Sequence, residues 1–125
     1  MALDAVIAEV RQYLALLREH GFQIERAVLF GSHARGETRA GSDIDLLLVS
    51  AGFEKLTWKQ EEMLWSLTAQ IDSRIEPIPC SERQWWDDQV SPLIQIARLE
   101  GIVIKVDTEV VYPAQRDFVE LAGQS

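Results

Sequence analysis

Residues 24–49 read IERAVLFGSHARGETRAGSDIDLLLV, and this segment is the most informative part of the chain about its architecture. The first seven residues (24–30) and the last seven (43–49) are apolar on both faces over much of their length, which is typical of strands inside a sheet. Between them, GSHARG at 31–36 predicts a turn that opens a short helix. We therefore expect two buried strands joined by a glycine-containing turn.

Further elements are expected on both sides of this segment. Apolar residues recur at the 3, 4 and 7 spacing of one helix face from Leu3 to Leu17, and Gly21 marks the end of that helix. The downstream patterns predict a helix at 58–71 with Trp65 on its buried stripe, a strand at 74–78, helices at 81–89 and 91–100, and a strand at 102–106. This order predicts an α+β fold, in which an αβαβαβ core forms a mixed β-sheet with helices packed on it.

The strand at 74–78 contains features that limit its pairing. Pro77 and Pro79 are two residues apart, so the N–H groups that both lack would point to the same side of the strand. That side is poorly able to form a ladder, and we expect this strand to pair mainly through its other side.

Composition and charge exclude several classes of protein. With 125 residues, 47% of them hydrophobic and 26% charged, the chain is expected to form a single domain (1–125), with a core at about 3–106 and a weakly ordered tail at about 107–125. A balance of 12 basic and 20 acidic residues gives a net charge of −8, which argues against a broad nucleic-acid surface. The single cysteine, Cys80, excludes an internal disulfide. No membrane span or signal peptide is apparent, so a cytoplasmic location is expected.

Two acids at the start of the second strand are candidate metal ligands. Asp43 and Asp45 are two residues apart and share one face of the strand, which Leu47 and Val49 continue as an apolar face. Two carboxylates at the mouth of a buried strand repel each other unless a cation lies between them, and hard oxygen ligands suit Mg²⁺ or Mn²⁺. The alternative is that both are ordinary surface acids.

The turn before these acids supplies groups that suit phosphate. Gly31 allows the backbone to approach a ligand closely, Ser32 adds N–H and hydroxyl donors, and Arg35 lies one helical turn later, within reach of phosphate oxygens. Many strand–turn–helix connections share these features, and the segment matches neither the Walker loop nor the dinucleotide fingerprint. The turn therefore gains its meaning only together with the two acids.

The combined motif, G-S-x-A-R-G at 31–36 and S-D-I-D-L at 42–46, resembles the signature of the DNA polymerase β-like nucleotidyltransferase superfamily. The compact length is similar to its minimal nucleotidyltransferase (MNT) branch. The resemblance implies a nucleotidyltransferase fold and metal-dependent transfer of a nucleoside monophosphate, AMP from ATP in the first instance, to a hydroxyl group with release of pyrophosphate.

The resemblance also implies roles for individual residues. Nucleotide binding falls to four positions: Gly31, Ser32, Arg35 and Ser42. Asp43 and Asp45 would bind two Mg²⁺ ions, with Mn²⁺ as the alternative. A third acid on a later strand, Glu76 here, would complete the metal and catalytic set, although the family usually has Asp at this position.

Two nearby residues, Asp72 and His33, are not included in this set of site residues. Asp72 is a competing third carboxylate, but its place at a helix end is more typical of a helix terminator. His33 stands where many relatives have a basic residue, and as a lone histidine it is interpreted as a surface group outside the metal shell.

Two functional hypotheses remain open. Stand-alone MNT proteins commonly accompany a HEPN-type toxin, so the resemblance implies ATP as substrate, a HEPN-type partner protein as acceptor, an antitoxin role and oligomerisation as an option. The alternative is a non-catalytic MNT-fold module that neutralises a partner by binding. The Asp-to-Glu departure at Glu76 favours the alternative. So do Trp85 and Trp86, which cannot both face inward on one helix, so that one of them marks either a partner surface or a cover for the sheet edge.

Overall fold

The computed structural model describes residues 2–39 and 41–118. Its elements are α1 (Leu3–Glu19), β1 (Arg26–Phe30), α2 (Ser32–Arg35), β2 (Ile44–Val49), a 3₁₀ helix (Ala51–Lys55), α3 (Trp58–Thr68), β3 (Ile75–Cys80), α4 (Glu82–Asp87), α5 (Pro92–Glu100), β4 (Ile102–Lys105) and β5 (Val111–Pro113). Most boundaries lie within two or three residues of the positions expected from sequence, as is usual for frayed ends.

The strands form one mixed sheet in the order β3-β2-β1-β4-β5. The β2 and β3 strands are parallel, and the other neighbours are antiparallel. In the described part of the chain β3 pairs with β2 alone, as Pro77 and Pro79 predicted. The expected α+β fold with a mixed sheet is confirmed.

The sheet separates two apolar cores, because alternate residues of each strand point to opposite faces. On one face, α1 and α3 cover Leu29, Leu46 and Ile75. On the other face, α4 and α5 cover Val28 and Leu47, among others. Asp45 falls on the second face by alternation, and this places it on the side of the sheet that α5 covers.

The α3 helix departs from expectation in the side chains it buries. Its N-terminus has a capping box, in which the Thr57 hydroxyl accepts from the Gln60 N–H and the Gln60 side chain accepts from the Thr57 N–H. Only a narrow stripe contacts the sheet, centred on Leu64 and Leu67. Trp65, expected on that stripe, is 47% exposed, so this prediction is wrong. Trp65 follows Leu64 in the helix, and its side chain therefore projects to one side of the buried stripe, into solvent.

The two adjacent tryptophans of α4 divide as expected between inside and outside. Trp85 is fully buried in the core beneath α5. Trp86 is half-buried, with its indole N–H donating to Glu82 and the Arg26 guanidinium stacked over its ring at 5.1 Å. The Trp86 side chain is therefore largely covered from within the chain.

The segment after β4 contains a strand that the sequence pattern does not indicate. Residues Val111–Pro113 pair antiparallel with β4, with Tyr112 opposite Val103. The next residue, Ala114, is buried and donates its N–H to the Gly101 carbonyl at 2.8 Å. A strand of three residues ending at proline is too short for alternation to reveal. Separately, no helix within the described ranges has the length and apolar character that crossing a bilayer requires.

Candidate active site

The end of β1 and the beginnings of β2 and β3 meet at one edge of the sheet. Asp45 lies opposite Phe30 in the antiparallel β1–β2 ladder and beside Glu76 in the parallel β2–β3 ladder. Asp43 precedes the first residue of β2 and is exposed, whereas Asp45 and Glu76 are half-buried. The topology therefore brings together the three acids predicted from sequence, which are up to 33 residues apart in the chain.

Gly31 makes the closest approach to this acidic group. Its φ of +76° lies in the region that side-chain-bearing residues rarely adopt. A Cβ added at this position would lie 2.2 Å from Oδ2 of Asp45, so any side chain would displace that carboxylate. The glycine thus leaves the β1–α2 backbone in direct contact with the Asp45 carboxylate.

A cleft of about 380 Å³ opens in front of the turn and the acids. It is lined by Phe30, Gly31, Ser32, Arg35, Ser42, Asp43, Asp45, Ile96 and Glu100. All four residues predicted to bind nucleotide and two of the predicted metal ligands are in this set. Glu76 is not in the lining and instead stands beside Asp45 on the neighbouring strand.

The acids at this site lack full compensation by cations. Burial raises the pKa of Asp45, and the negative charge of Asp43 adds to that effect. Burial followed by the charges of Asp43 and Asp45 raises the pKa of Glu76. Hydrogen bonding to Glu76 partly offsets the rise at Asp45, but the charged forms of Asp45 and Glu76 are both disfavoured at this end of the sheet.

The Arg35 guanidinium, the one cation among the described residues that line the cleft, is already paired with acids. Its Nη1 donates to Oε1 of Glu100 at 2.8 Å, and its Nε donates to Oε2 of Glu37 at 3.2 Å. The same Glu100 oxygen accepts the backbone N–H of Gly31 at 3.2 Å. Glu100 and Ile96 were missed by sequence reasoning, since α5 carries no motif and only the tertiary fold brings it to the turn.

The structure tests the sequence-based interpretations of two further residues, His33 and Asp72. His33 is 5% exposed, and its Nε2 lies 3.3 Å from the Ser42 carbonyl oxygen, so the interpretation as a surface group is wrong. A four-residue helix between two glycines turns this side chain back against the following loop. Asp72 is held by Arg74, with Oδ2 2.6 Å from the guanidinium Nη2, which leaves Glu76 as the acid beside Asp45.

The residues present suit a divalent cation by their donor chemistry. Within 2–39 and 41–118, no three acidic, histidine or cysteine side chains already converge as a metal cage. The side chains of Asp43, Asp45 and Glu76 nevertheless offer only carboxylate oxygens, and the pKa values of Asp45 and Glu76 are raised, which is the setting that Mg²⁺ or Mn²⁺ stabilises. Gly31 also keeps the space beside Asp45 clear of side-chain atoms.

Comparison with known proteins identifies the family of this chain. The family model described as a nucleotidyltransferase domain matches residues 9–121. No curated protein sequence matches the chain.

Solved structures with the same fold include three informative examples. A toxin–antitoxin structure with AMP-PNP is 19% identical, with a TM-score of 0.59 over 93% of this chain and 85% of that one. The toxin–antitoxin MntA–HpeT carrying two Asp-to-Glu substitutions is 19% identical, with a TM-score of 0.56 over 86% and 77%. A candidate nucleotidyltransferase from Sulfolobus solfataricus is 18% identical, with a TM-score of 0.56 over 82% and 81%. At these identities the likeness establishes the fold, and the family model carries the assignment.

Proposed function

The chain belongs to the nucleotidyltransferase domain family, and we propose that it transfers AMP from ATP, with Mg²⁺, to a hydroxyl group on a partner protein. The resemblance drawn from the 31–36 and 42–46 motifs is thereby confirmed at the level of the family. The nucleotide, the metal and the acceptor are the proposed part. The chain is acidic overall, so we place the affinity for a triphosphate in the cleft rather than in the general surface charge.

Each of the predicted site residues has a task in this reaction. Gly31 and Ser32 would hold the triphosphate through N–H and hydroxyl donors, with Arg35 and Ser42 at the sides of the cleft. Asp43, Asp45 and Glu76 would hold the metal ions. When bound, the ions would activate the acceptor hydroxyl and offset the charge of the departing pyrophosphate.

The observation that carries the proposal is the contact between Gly31 and Asp45. A phosphate-binding turn and a metal-binding carboxylate must be adjacent for one triphosphate to engage both. Here Gly31 has no side chain, and a Cβ added to it would lie 2.2 Å from Oδ2 of Asp45. Positioning of the reacting groups by these rigid elements would supply most of the rate acceleration.

Incubation with radiolabelled ATP, Mg²⁺ and the protein that co-purifies from the source would test the transfer. We expect label on the partner in the presence of the native chain and none with Asp43→Ala plus Asp45→Ala. A matched control is Asp72→Ala, which removes an acid that is paired with Arg74 outside the cleft. Equal labelling by the double variant would contradict the proposal.

The partner is proposed to be a HEPN-type toxin that the chain neutralises. Two observations support this choice of partner: the resemblance of the motif to MNT proteins, and the fold shared with two toxin–antitoxin structures, one of which contains AMP-PNP. In this reading the acceptor is a tyrosine hydroxyl of the toxin, and mass spectrometry of the labelled partner would identify the modified residue.

A second function, neutralisation by binding alone, is favoured by Glu76 in place of the usual Asp. The toxicity of the partner distinguishes the two in cells. If Asp43→Ala plus Asp45→Ala still protects against the partner while labelling is lost, binding is sufficient and transfer is secondary. Loss of both protection and labelling would leave the enzymatic function as the one that matters.

A further inference from the structure

One acid in the cleft belongs to neither the predicted metal set nor the phosphate-binding turn. Oε1 of Glu100 accepts hydrogen bonds from the Gly31 N–H and from Nη1 of Arg35, at 3.2 and 2.8 Å. These are two of the donors that the proposed function assigns to the triphosphate. A carboxylate and a phosphate both offer anionic oxygens to such donors, so the two compete for the same place.

We propose that Glu100 is an internal substitute for phosphate, which occupies the nucleotide donors and must be displaced when a triphosphate binds. This inference rests on the proposed function, because it concerns the same cleft. Glu100 thus sets the affinity for the nucleotide without contacting the reacting atoms. Glu100 competes with the phosphate chain of the nucleotide, so its effect on affinity is confined to ligands that carry phosphate.

The charges that line the cleft support this role. The cleft lining contains Arg35 together with three carboxylates, those of Asp43, Asp45 and Glu100. The first two can be offset by metal ions that arrive with the nucleotide, whereas Glu100 is already offset by Arg35 at 2.8 Å. If Glu100 stayed in place, the incoming phosphate would meet an arginine whose charge is already neutralised and a negative group beside it.

The backbone that carries Glu100 is fixed, while its side chain is free to leave. The next residue, Gly101, packs so closely that an added Cβ would lie 2.2 Å from the Ala97 carbonyl oxygen and 2.6 Å from Val28 Cγ1. This contact seats the end of α5 on β1 and brings Glu100 to the turn. The Glu100 side chain itself is 25% exposed, so rotation of its own torsions is sufficient to release the donors.

Titration calorimetry with ATP and Mg²⁺ on the full chain tests the proposal. Glu100→Gln keeps the size of the side chain and removes its charge, and Glu100→Ala removes the contact altogether. If the contact is made in roughly nine molecules out of ten, the apparent dissociation constant falls about tenfold on its removal. We expect that gain for Glu100→Ala and a smaller gain in the same direction for Glu100→Gln.

The matched control is Glu37→Gln. Glu37 pairs with the same arginine at 3.2 Å but lies outside the cleft lining and does not contact Gly31. Its removal should change the dissociation constant less than about twofold, as expected of an exposed ion pair. Adenosine, which lacks phosphate, should bind the native chain and all variants equally. Thermal unfolding of each variant verifies that the fold is retained.

Several outcomes would overturn the inference. Weaker ATP binding by Glu100→Ala would show that Glu100 supports the binding site, and unchanged binding would show that it does not compete with phosphate. An equal gain for Glu37→Gln would reduce the effect to net charge. If AMP transfer is observed and affinity does not change, only this inference fails. If affinity rises as expected and no acceptor is ever labelled, the proposed transfer fails and Glu100 keeps its role. Absence of ATP binding to every form would refute both.

Discussion

Two groups of acids lie near the ends of β2 and β3, and they differ in how their charge is compensated. At the turn before β3, Asp72 forms an ion pair with Arg74 and also accepts its backbone N–H at 2.9 Å. Hydrogen bonding to Arg74 lowers the pKa of Asp72 far below its ordinary value. At the mouth of β2, burial raises the pKa values of Asp45 and Glu76, and the charge of Asp43 adds to both increases, although hydrogen bonding to Glu76 partly offsets the rise at Asp45.

The difference separates an acid that stabilises the fold from acids that are available to a ligand. Asp72 is matched by a cation within its own turn, so its charge stabilises the native state. The raised pKa values of Asp45 and Glu76 mean that their charged forms raise the free energy of the native state, a cost that is typical of functional sites. Asp72 and Glu76 are only four residues apart in the chain, and their environments alone distinguish their roles.

Among the substitutions that test this difference between the two groups of acids, Asp45→Asn should have the largest effect, a loss of catalytic activity. Loss of one metal-binding carboxylate should reduce AMP transfer by about a thousandfold, equivalent to roughly 4 kcal/mol of transition-state stabilisation. Because the substitution also removes repulsion from Asp43 and Glu76, the free energy of unfolding should not fall. Transfer assays and urea denaturation would measure the two effects. Asp72→Asn, assayed in parallel, should keep most of the transfer activity. A comparable loss there would contradict the division into two groups.

Gly31→Ala should have the next largest effect, because it acts on the contact between turn and carboxylate. The φ of +76° is strained for alanine, and the new Cβ would lie 2.2 Å from Asp45 Oδ2. We expect a decrease of about 2–3 kcal/mol in the free energy of unfolding, together with loss of transfer.

Gly36→Ala is the matched control for this substitution. Gly36 also has a positive φ, of +73°, but within 2–39 and 41–118 no atom beyond its chain neighbours lies within 4 Å of its added Cβ. It should show the strain alone, about 1 kcal/mol. Equal destabilisation by both substitutions would mean that the Asp45 contact contributes nothing.

The acids at the cleft could be predicted because their signal is local. Gly31 and Asp45 belong to one motif, and the β1–β2 hairpin that joins them is encoded by two short apolar runs. Glu76 followed from the family resemblance, and the pairing of β3 with β2, through the side that the two prolines leave available, places it beside Asp45.

The remaining features depend on contacts between distant segments. Glu100 reaches the Gly31 turn only because Gly101 allows α5 to pack against β1, and nothing in the helix sequence signals this. Burial of His33 and pairing of β5 likewise follow from the final packing rather than from periodicity. Trp65 shows the opposite error, since apolar character alone does not tell which side of a helix meets the sheet.

The pH dependence of stability should distinguish Asp72 from the acids around Asp45, although the expected effect is smaller than those of the substitutions above. Asp72 has a lowered pKa in the folded state, so its contribution is fully present above its unfolded pKa of about 3.9 and is lost as the pH falls toward the folded value. Asp72→Asn should therefore lower the free energy of unfolding by about 1–2 kcal/mol at pH 7. The gap to the native chain should narrow between about pH 5 and pH 2. Glu62→Gln, which removes an exposed acid on α3, is the control for a change in net charge. An undiminished gap for Asp72→Asn at low pH would contradict the assignment.

The smallest expected effect is the stabilisation of the free protein by Mg²⁺, and it tests the uncompensated group directly. For a dissociation constant on the order of 1 mM, about 5 mM Mg²⁺ should raise the free energy of unfolding by about 1 kcal/mol, because the ion binds the folded state and relieves repulsion there. Thermal unfolding at matched ionic strength, with NaCl in place of MgCl₂, isolates this effect from general screening. Asp72→Asn should keep the increase, since its charge is not part of the metal set, whereas Asp43→Asn plus Asp45→Asn should lose it. An increase that survives in the double variant would place the bound ion elsewhere and would remove the distinction between the two groups of acids.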